Sequence, residues 1–229
     1  LEGAVNKMTH STIKSIIKRN MGNNDELGTL LDRYVHLGKM RIAEEQNFRE
    51  LIRVYEGTLP LAQRIKVPSR TKDIYWMAIA EYDGSDYSNT RLLKAEYNNQ
   101  MIKDWPYPEE ADDGMPSTYS WVQDYLVLRQ KPDTAYNIRI CVALWPEYIT
   151  SGEHEFTNRD RLVIAASTAE GFQALGLETK AAYWNAVYSE RMVYAKKSDA
   201  TWAAGLTKMG GFNAQAPHIR GRMADNVAF

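Results

Sequence analysis

With 229 residues, 44% of them hydrophobic and 25% charged, the chain has the composition of a folded globular protein of one large or two small domains, and disorder over its whole length is excluded. No run approaches the ~18 to 20 uninterrupted apolar residues of a membrane-spanning helix, and the lone Cys141 excludes an intramolecular disulfide and any multi-cysteine zinc site. The net charge of -1 is unevenly spread, with nine basic against eight acidic residues in 1–56, ten against fifteen in 57–156 and nine against six in 157–229; no stretch is basic enough to neutralise a row of phosphates, which argues against avid sequence-specific nucleic-acid binding.

Thr9 or Ser11 can cap a first helix that sets Ile13, Ile16, Ile17 and Met21 on one face, and Gly22-Asn23-Asn24 supplies its stop. Asn24 or Asp25 can cap a second, carrying Leu27, Leu30, Leu31, Tyr34 and Val35, with Ile42 on roughly the same face. Residues 9–45 hold six basic and five acidic side chains, a balance that favours a packing hairpin over a DNA-reading helix-turn-helix.

Near Arg53 the period becomes extended. Ile74, Trp76, Ala78 and Ala80 alternate with Tyr75, Met77, Ile79 and Glu81 in a strand closed by Asp83-Gly84-Ser85. Residues 91–105 read as a short helix ending at Trp105-Pro106, and the following Pro-rich and acidic stretch to Gly114 reads as an exposed loop. Residues 119–128, a turn at Lys131-Pro132-Asp133 and the clearest strand follow, the last with Tyr136, Ile138, Ile140, Val142 and Leu144 on one face.

Helical period returns at Thr157. Leu162, Ala165, Ala166, Ala169, Phe172 and Leu175 form an alanine-rich stripe, Gly176 breaks it, and a further helix from Glu178 carries Ala181, Trp184, Val187, Tyr188, Met192 and Ala195 before ending in Lys196-Lys197. Beyond Asp199 periodicity fades among Gly205, Gly210, Gly211, Pro217 and Gly221. The expected architecture is therefore α+β. Residues 1–56 and 157–200 form a helical bundle from the N- and C-terminal helix pairs, 57–156 an inserted, mainly antiparallel β region, and 201–229 an extended C-terminal arm.

Signs of chemistry are sparse. His10, His36, His154 and His218 lie far apart without metal-ligand spacing, Cys141 sits inside the best strand, and no GxSxG, Walker or GxGxxG pattern occurs, so no metal, cofactor or catalytic residue is expected. The run Glu109-Glu110-Ala111-Asp112-Asp113 could supply an acid and a base for glycoside hydrolysis, with Trp105, Tyr107, Tyr119 and Trp121 stacking on sugar rings. The commoner meaning of such a pattern is an exposed acidic loop beside aromatics that pack in a core. A cell-wall or polysaccharide hydrolase and a non-catalytic carbohydrate-binding module stay open as alternatives. Six Trp and fourteen Tyr are many for this length, and Tyr suits protein interfaces.

The order of elements is itself informative. The stretch Leu27-Gly-Thr-Leu-Leu-Asp-Arg-Tyr-Val, the break at Asn47-Phe48-Arg49-Glu50-Leu51, the segment Gly114-Met-Pro-Ser-Thr-Tyr119, the run Leu126-Val-Leu-Arg-Gln-Lys-Pro-Asp-Thr-Ala-Tyr-Asn-Ile closed by Pro146, and Ala181-Ala-Tyr-Trp-Asn after the alanine-rich helix together resemble the head-to-tail adaptor (connector, or neck) family of tailed bacteriophages, which includes tail tubular protein A and the head-completion adaptors. The likeness covers most of residues 9–197.

It implies a non-enzymatic virion structural protein, made in the host cytoplasm and built into the neck between capsid and tail. Such a protein forms a homo-oligomeric ring, a dodecamer, against the portal protein, contacts further neck or tail proteins, and continues the channel through which genomic DNA passes at ejection, with no membrane involved. For the arm that docks on the portal, the candidate partner-binding residues are Trp202, Phe212, Ile219, Arg220, Arg222 and Phe229.

Overall fold

The computed structural model describes residues 8–23, 27–82, 87–96 and 112–209, with 82, 87 and 201–209 as backbone alone. The protein is α+β, with four α-helices among the described residues and two sheets dominated by antiparallel pairing. It divides into two compact units, one holding the described residues up to Ile52 and from Trp145, the other the span Arg53–Leu144. No helix among the described residues is long and apolar enough to cross a membrane.

In the first unit, helix α1 (His10–Asn20) starts at Thr9, whose Oγ1 accepts the Thr12 amide at 3.3 Å, and its chain leaves through Gly22 at φ +89. Helix α2 (Leu31–Glu45) is preceded by a turn on which Leu27 is buried, so the expected early start at Leu27 moves to Leu31. A 3-10 turn at Arg49–Leu51 follows. Helix α3 (Asp160–Ala174) begins after the expected Thr157, and every residue from Leu162 to Ala169 is buried. That stretch has no solvent face because it packs against both α2 and the last helix, α4 (Glu178–Met209), while Arg161, Gln173 and Ala174 near the helix ends are exposed. Gly38 makes the close approach of α2 to α3 possible, since a Cβ there would fall 2.6 Å from the Ser167 amide nitrogen. Gly176, at φ +69, turns the chain between α3 and α4, where the Leu177 amide reaches Phe172 O and the Gly176 amide reaches Gln173 O, both at 3.0 Å.

All four helices contribute to one apolar core containing Ile13, Ile17, Tyr34, Val35, Ile42, Phe48, Phe156, Phe172, Tyr188 and Met192. Three expectations change here. Helix α4 does not stop at Lys197 but runs on to Met209, because Ala200, Ala203, Ala204 and Leu206 are strong helix formers and the single Gly205 is tolerated. Segment 145–156 belongs with the helices and not with the strands, as buried Phe156 in the helical core requires. Trp184 is only partly buried, and Tyr188, one turn on, is the large side chain that closes the core.

The second unit contains strands β1 (Ile52–Thr58), β2 (Arg64–Lys66), β3 (Thr71–Tyr82), β4 (Tyr87–Leu92), β5 (Lys94–Ala95), β6 (Thr118–Val122), β7 (Tyr125–Leu128) and β8 (Asn137–Leu144). They form one sheet of order β1-β8-β3-β4 and another of order β2-β7-β6-β5. β3 and β8 pair antiparallel with Ile74 beside Val142 and Ile79 beside Ile138, so their shared apolar face meets Ile65, Leu126 and Leu128 in a second core. Only β5 and β6 run parallel among the pairs with an assigned sense. The helix expected over 91–105 is corrected for its described part: Arg91 and Leu92 pair with Ile79 and Ala78, and Lys94–Ala95 pairs with β6, so cross-strand bonding overrides local helical preference. The remainder of that segment lies outside the described residues.

Candidate functional site

The helical unit is fastened by charged and polar side chains that composition did not single out. Lys39 lies on the apolar side of α2 and is fully buried. Its ammonium donates to Glu147 O at 2.5 Å and to Glu155 Oε2 at 3.0 Å, while Glu155 Oε1 accepts the Glu147 amide at 2.5 Å. One ion pair thus closes the irregular segment before α3 onto α2. Burial works to raise the Glu155 carboxyl pKa, but the Lys39 charge and the donated backbone N–H bonds outweigh it and hold the group below its ordinary value.

Two histidines flank this pair. His154 Nε2 meets Asp160 Oδ1 at 2.7 Å at the first turn of α3; burial lowers the imidazole pKa, and the hydrogen bond to Asp160 recovers only part of the shift. His36 is likewise lowered by burial and then by the Lys39 charge, and its ring packs edge-on against Tyr148 at 5.2 Å.

Arg159 grips α4 just past its middle. Its Nη1 donates to Ala195 O at 3.1 Å, Nη2 to Asp199 Oδ1 at 3.0 Å, Nε lies 3.1 Å from Glu50 Oε1, and the guanidinium carbon sits 3.9 Å over the Phe48 ring. The planar fork therefore ties the 3-10 turn, the start of α3 and the middle of α4 together. A third fastening joins α2 to α4: the Tyr188 hydroxyl donates to Glu45 Oε1 at 2.6 Å, and Arg41 lies over the Tyr188 ring at 4.3 Å while donating to Asn185 Oδ1 at 2.7 Å. Burial, followed by the Glu45 hydrogen bond, raises the Tyr188 phenol pKa, so this group is a donor at any ordinary pH.

These groups hold helices in place; their partners are charges and backbone, and among the described residues no three His, Cys, Asp or Glu could hold a metal ion together. Cys141 is buried in β8, where burial raises its thiol pKa. Of the acidic run, Asp112 and Asp113 are exposed, and Asp113 meets Lys131 at 3.5 Å on the surface, while 109–111 lie outside the described residues, as do Trp105 and Tyr107. Tyr119 is buried in the second core, and Trp121 Nε1 donates to Gln123 O at 2.6 Å across the β6–β7 turn. The alternative sugar-stacking set is thus not assembled from its described members.

Of the partner-binding residues expected for the arm, Trp202 falls within the helical span of α4 with its side chain undescribed, and Phe212, Ile219, Arg220, Arg222 and Phe229 lie outside the described residues. The residues that reading the sequence missed, Lys39 and Arg159, left a faint signal. Lys39 interrupts an otherwise apolar helical face between Val35 and Ile42, and Arg159 immediately precedes a helix rich in alanine. No protein-family model matches the sequence, and no curated protein matches it.

Proposed function

We propose that the chain is a structural adaptor of a tailed-phage neck: a ring-forming protein that joins the portal of the capsid to the tail and continues the DNA channel. In this reading the helical unit is the bundle of the adaptor, the strand-rich span is its inserted β region, and the arm is the segment after α4. The ordered likeness along residues 9–197 supports it. The observation that carries it is the combination of a long final helix with its clamp: α4 extends over 32 residues, and Arg159 grips it at Ala195 and Asp199. A long helix held past its middle at Ala195 and Asp199 is a suitable way to present the segment that follows it to a neighbouring protein at a defined place. Trp202 stands at the root of that arm, Phe212, Ile219 and Phe229 are its apolar anchors, and Arg220 and Arg222 suit acidic groups on the portal.

Deleting residues 210–229 tests the reading. The truncated chain is expected to keep its melting temperature and to disappear from portal-containing particles separated on a density gradient. Incorporation at the level of the intact chain overturns the docking role of the arm. Absence of the intact chain from such particles overturns the adaptor reading altogether.

A further inference from the structure

We infer that the solvent-facing sides of α2 and α4 are the two halves of one head-to-tail contact between copies of this chain, α4 of one copy lying antiparallel along α2 of the next. The inference deepens the adaptor reading and rests on it for the ring, since that reading leaves the ring's contact surface unassigned.

At about 100° per residue, Leu30, Arg33, Leu37, Met40 and Glu44 fall on a single stripe, opposite the side of α2 that buries Leu31, Val35 and Ile42. Leu30 belongs to it because its backbone is already helical at φ -92, ψ -15. On α4, Tyr183, Ala186, Glu190, Val193 and Tyr194 form a corresponding stripe, opposite buried Ala181, Tyr188 and Met192. Tyr183 and Tyr194 are each 64% exposed and Val193 50%, values that leave half or more of three apolar side chains in water on one helix face. Isolated surface hydrophobics are ordinary, but a face repeating at three- and four-residue intervals has the spacing of a helix–helix seam.

Charge selects the partner. With Arg33 set opposite Glu190 in an antiparallel register, the same spacing brings Leu30 to Val193, Leu37 to Ala186, Met40 to Tyr183 and Glu44 beside Lys180. Apolar groups then meet apolar groups, the Met40 thioether meets an aromatic ring, and both charges find an opposite. A parallel register through the same ion pair sets Met40 against Lys197 and leaves Tyr183 beyond the start of α2. Pairing like with like is worse. Two copies of the α2 stripe centred on Leu37 bring Arg33 against Arg41, and two copies of the α4 stripe either stack Glu190 on itself or, with Tyr183 on Tyr194, bring Lys180 to Lys197. Arg33 and Glu190 have no ion-pair partner among the described residues, so both are available for the contact. A contact between two different faces of the same chain is heterologous, the kind that closes into rings.

Charge reversal and its rescue test the contact. R33E and E190R alone are each expected to weaken self-association by about tenfold or more without lowering the melting temperature, and the double variant is expected to restore it. Sedimentation velocity over a concentration series reads the outcome. Independently, L30C combined with V193C in one chain should give, on oxidation, a ladder of covalent multimers on a non-reducing gel, with buried Cys141 contributing none. Rings that form normally in both single reversals, or a Cys pair that yields no ladder, overturn this contact and leave the adaptor reading standing. A wild-type chain that sediments as a monomer at every concentration overturns the contact as well. Failure of the adaptor reading is seen separately, as absence of the unaltered chain from portal-containing particles.

Discussion

Arg159 Nη2 lies 3.0 Å from Asp199 Oδ1, so the residue before α3 holds α4 at a position one turn beyond Ala195, whose carbonyl the same guanidinium also binds. Arg159, Glu50 and Asp199 are all largely buried, and removing the arginine takes one positive charge away from both carboxylates.

Arg159→Met is therefore expected to destabilise the helical unit by about 3–5 kcal/mol, the range for breaking a buried ion pair from one side. Asp199→Asn, which keeps an oxygen acceptor on the less deeply buried side of the clamp, should cost less. Urea unfolding measures both, and amide exchange should report faster opening after Ala195 in the arginine variant. Equal midpoints for Arg159→Met and wild type would show that the clamp is not a structural tie.

The large aromatic that closes the helical core is Tyr188, 1% exposed, and not Trp184. Tyr188→Ala should cost about 3–5 kcal/mol, and Trp184→Ala distinctly less. Tyr188→Phe isolates the hydroxyl; Glu45 is exposed and keeps Lys196 at 3.6 Å, so the lost hydrogen bond should cost only about 0.5–1.5 kcal/mol. Thermal melts of the three variants should rank in that order, alanine at 188 lowest; a reversed ranking of the two alanine variants would contradict the packing described.

Stability should fall in two steps on acidification. The His154 and His36 pKa values are held below the ordinary 6.5, so as pH falls below 6.5 the unfolded chain takes up protons first and stability is lost until the folded values are passed. The Glu155 pKa is held below its ordinary 4.5, and that of Asp32, where burial is outweighed by bonds to Lys14 at 2.8 Å and His10 at 2.7 Å, below 3.8, so their contribution is complete above those values and is lost as pH falls through the lowered folded ones. Urea midpoints measured from pH 8 to pH 3 should decline in both windows. His154→Gln should flatten the upper step, and an unchanged profile in that variant would assign the upper step elsewhere.

Two glycines make opposite predictions about tolerance. A Cβ at Gly38 meets the backbone of Ser167 at 2.6 Å, whereas at Gly171 its nearest neighbours are Met21 Cε and Sδ at 2.6 and 2.7 Å. Backbone cannot step aside as the end of a methionine can. Gly38→Ala should separate α2 from α3 and cost about 1–3 kcal/mol, and Gly171→Ala should cost less than that. Comparable melting temperatures for the two variants would count against the close approach at Gly38.

Periodicity alone determined much of this protein. The apolar spacing of Ile13, Ile17 and Met21, the alternation from Tyr136 to Leu144, and the glycine stop at Gly176 follow from rules that act within a few residues, and the described helices and strands obey them. Periodicity does not locate the end of α4, because scattered glycines obscure a run of strong helix formers. Nor does it give the extended form of residues 91–96, which depends on β3 and β6, partners distant in sequence. Tertiary structure alone decided the roles of Lys39 and Arg159: a lysine on an apolar face and an arginine beside a helix start become fastenings only when Glu155, Glu50 and Asp199 are brought to them. Local sequence sets which face of an element is apolar, but the energy of a buried charge depends on a partner whose arrival only the folded chain can specify.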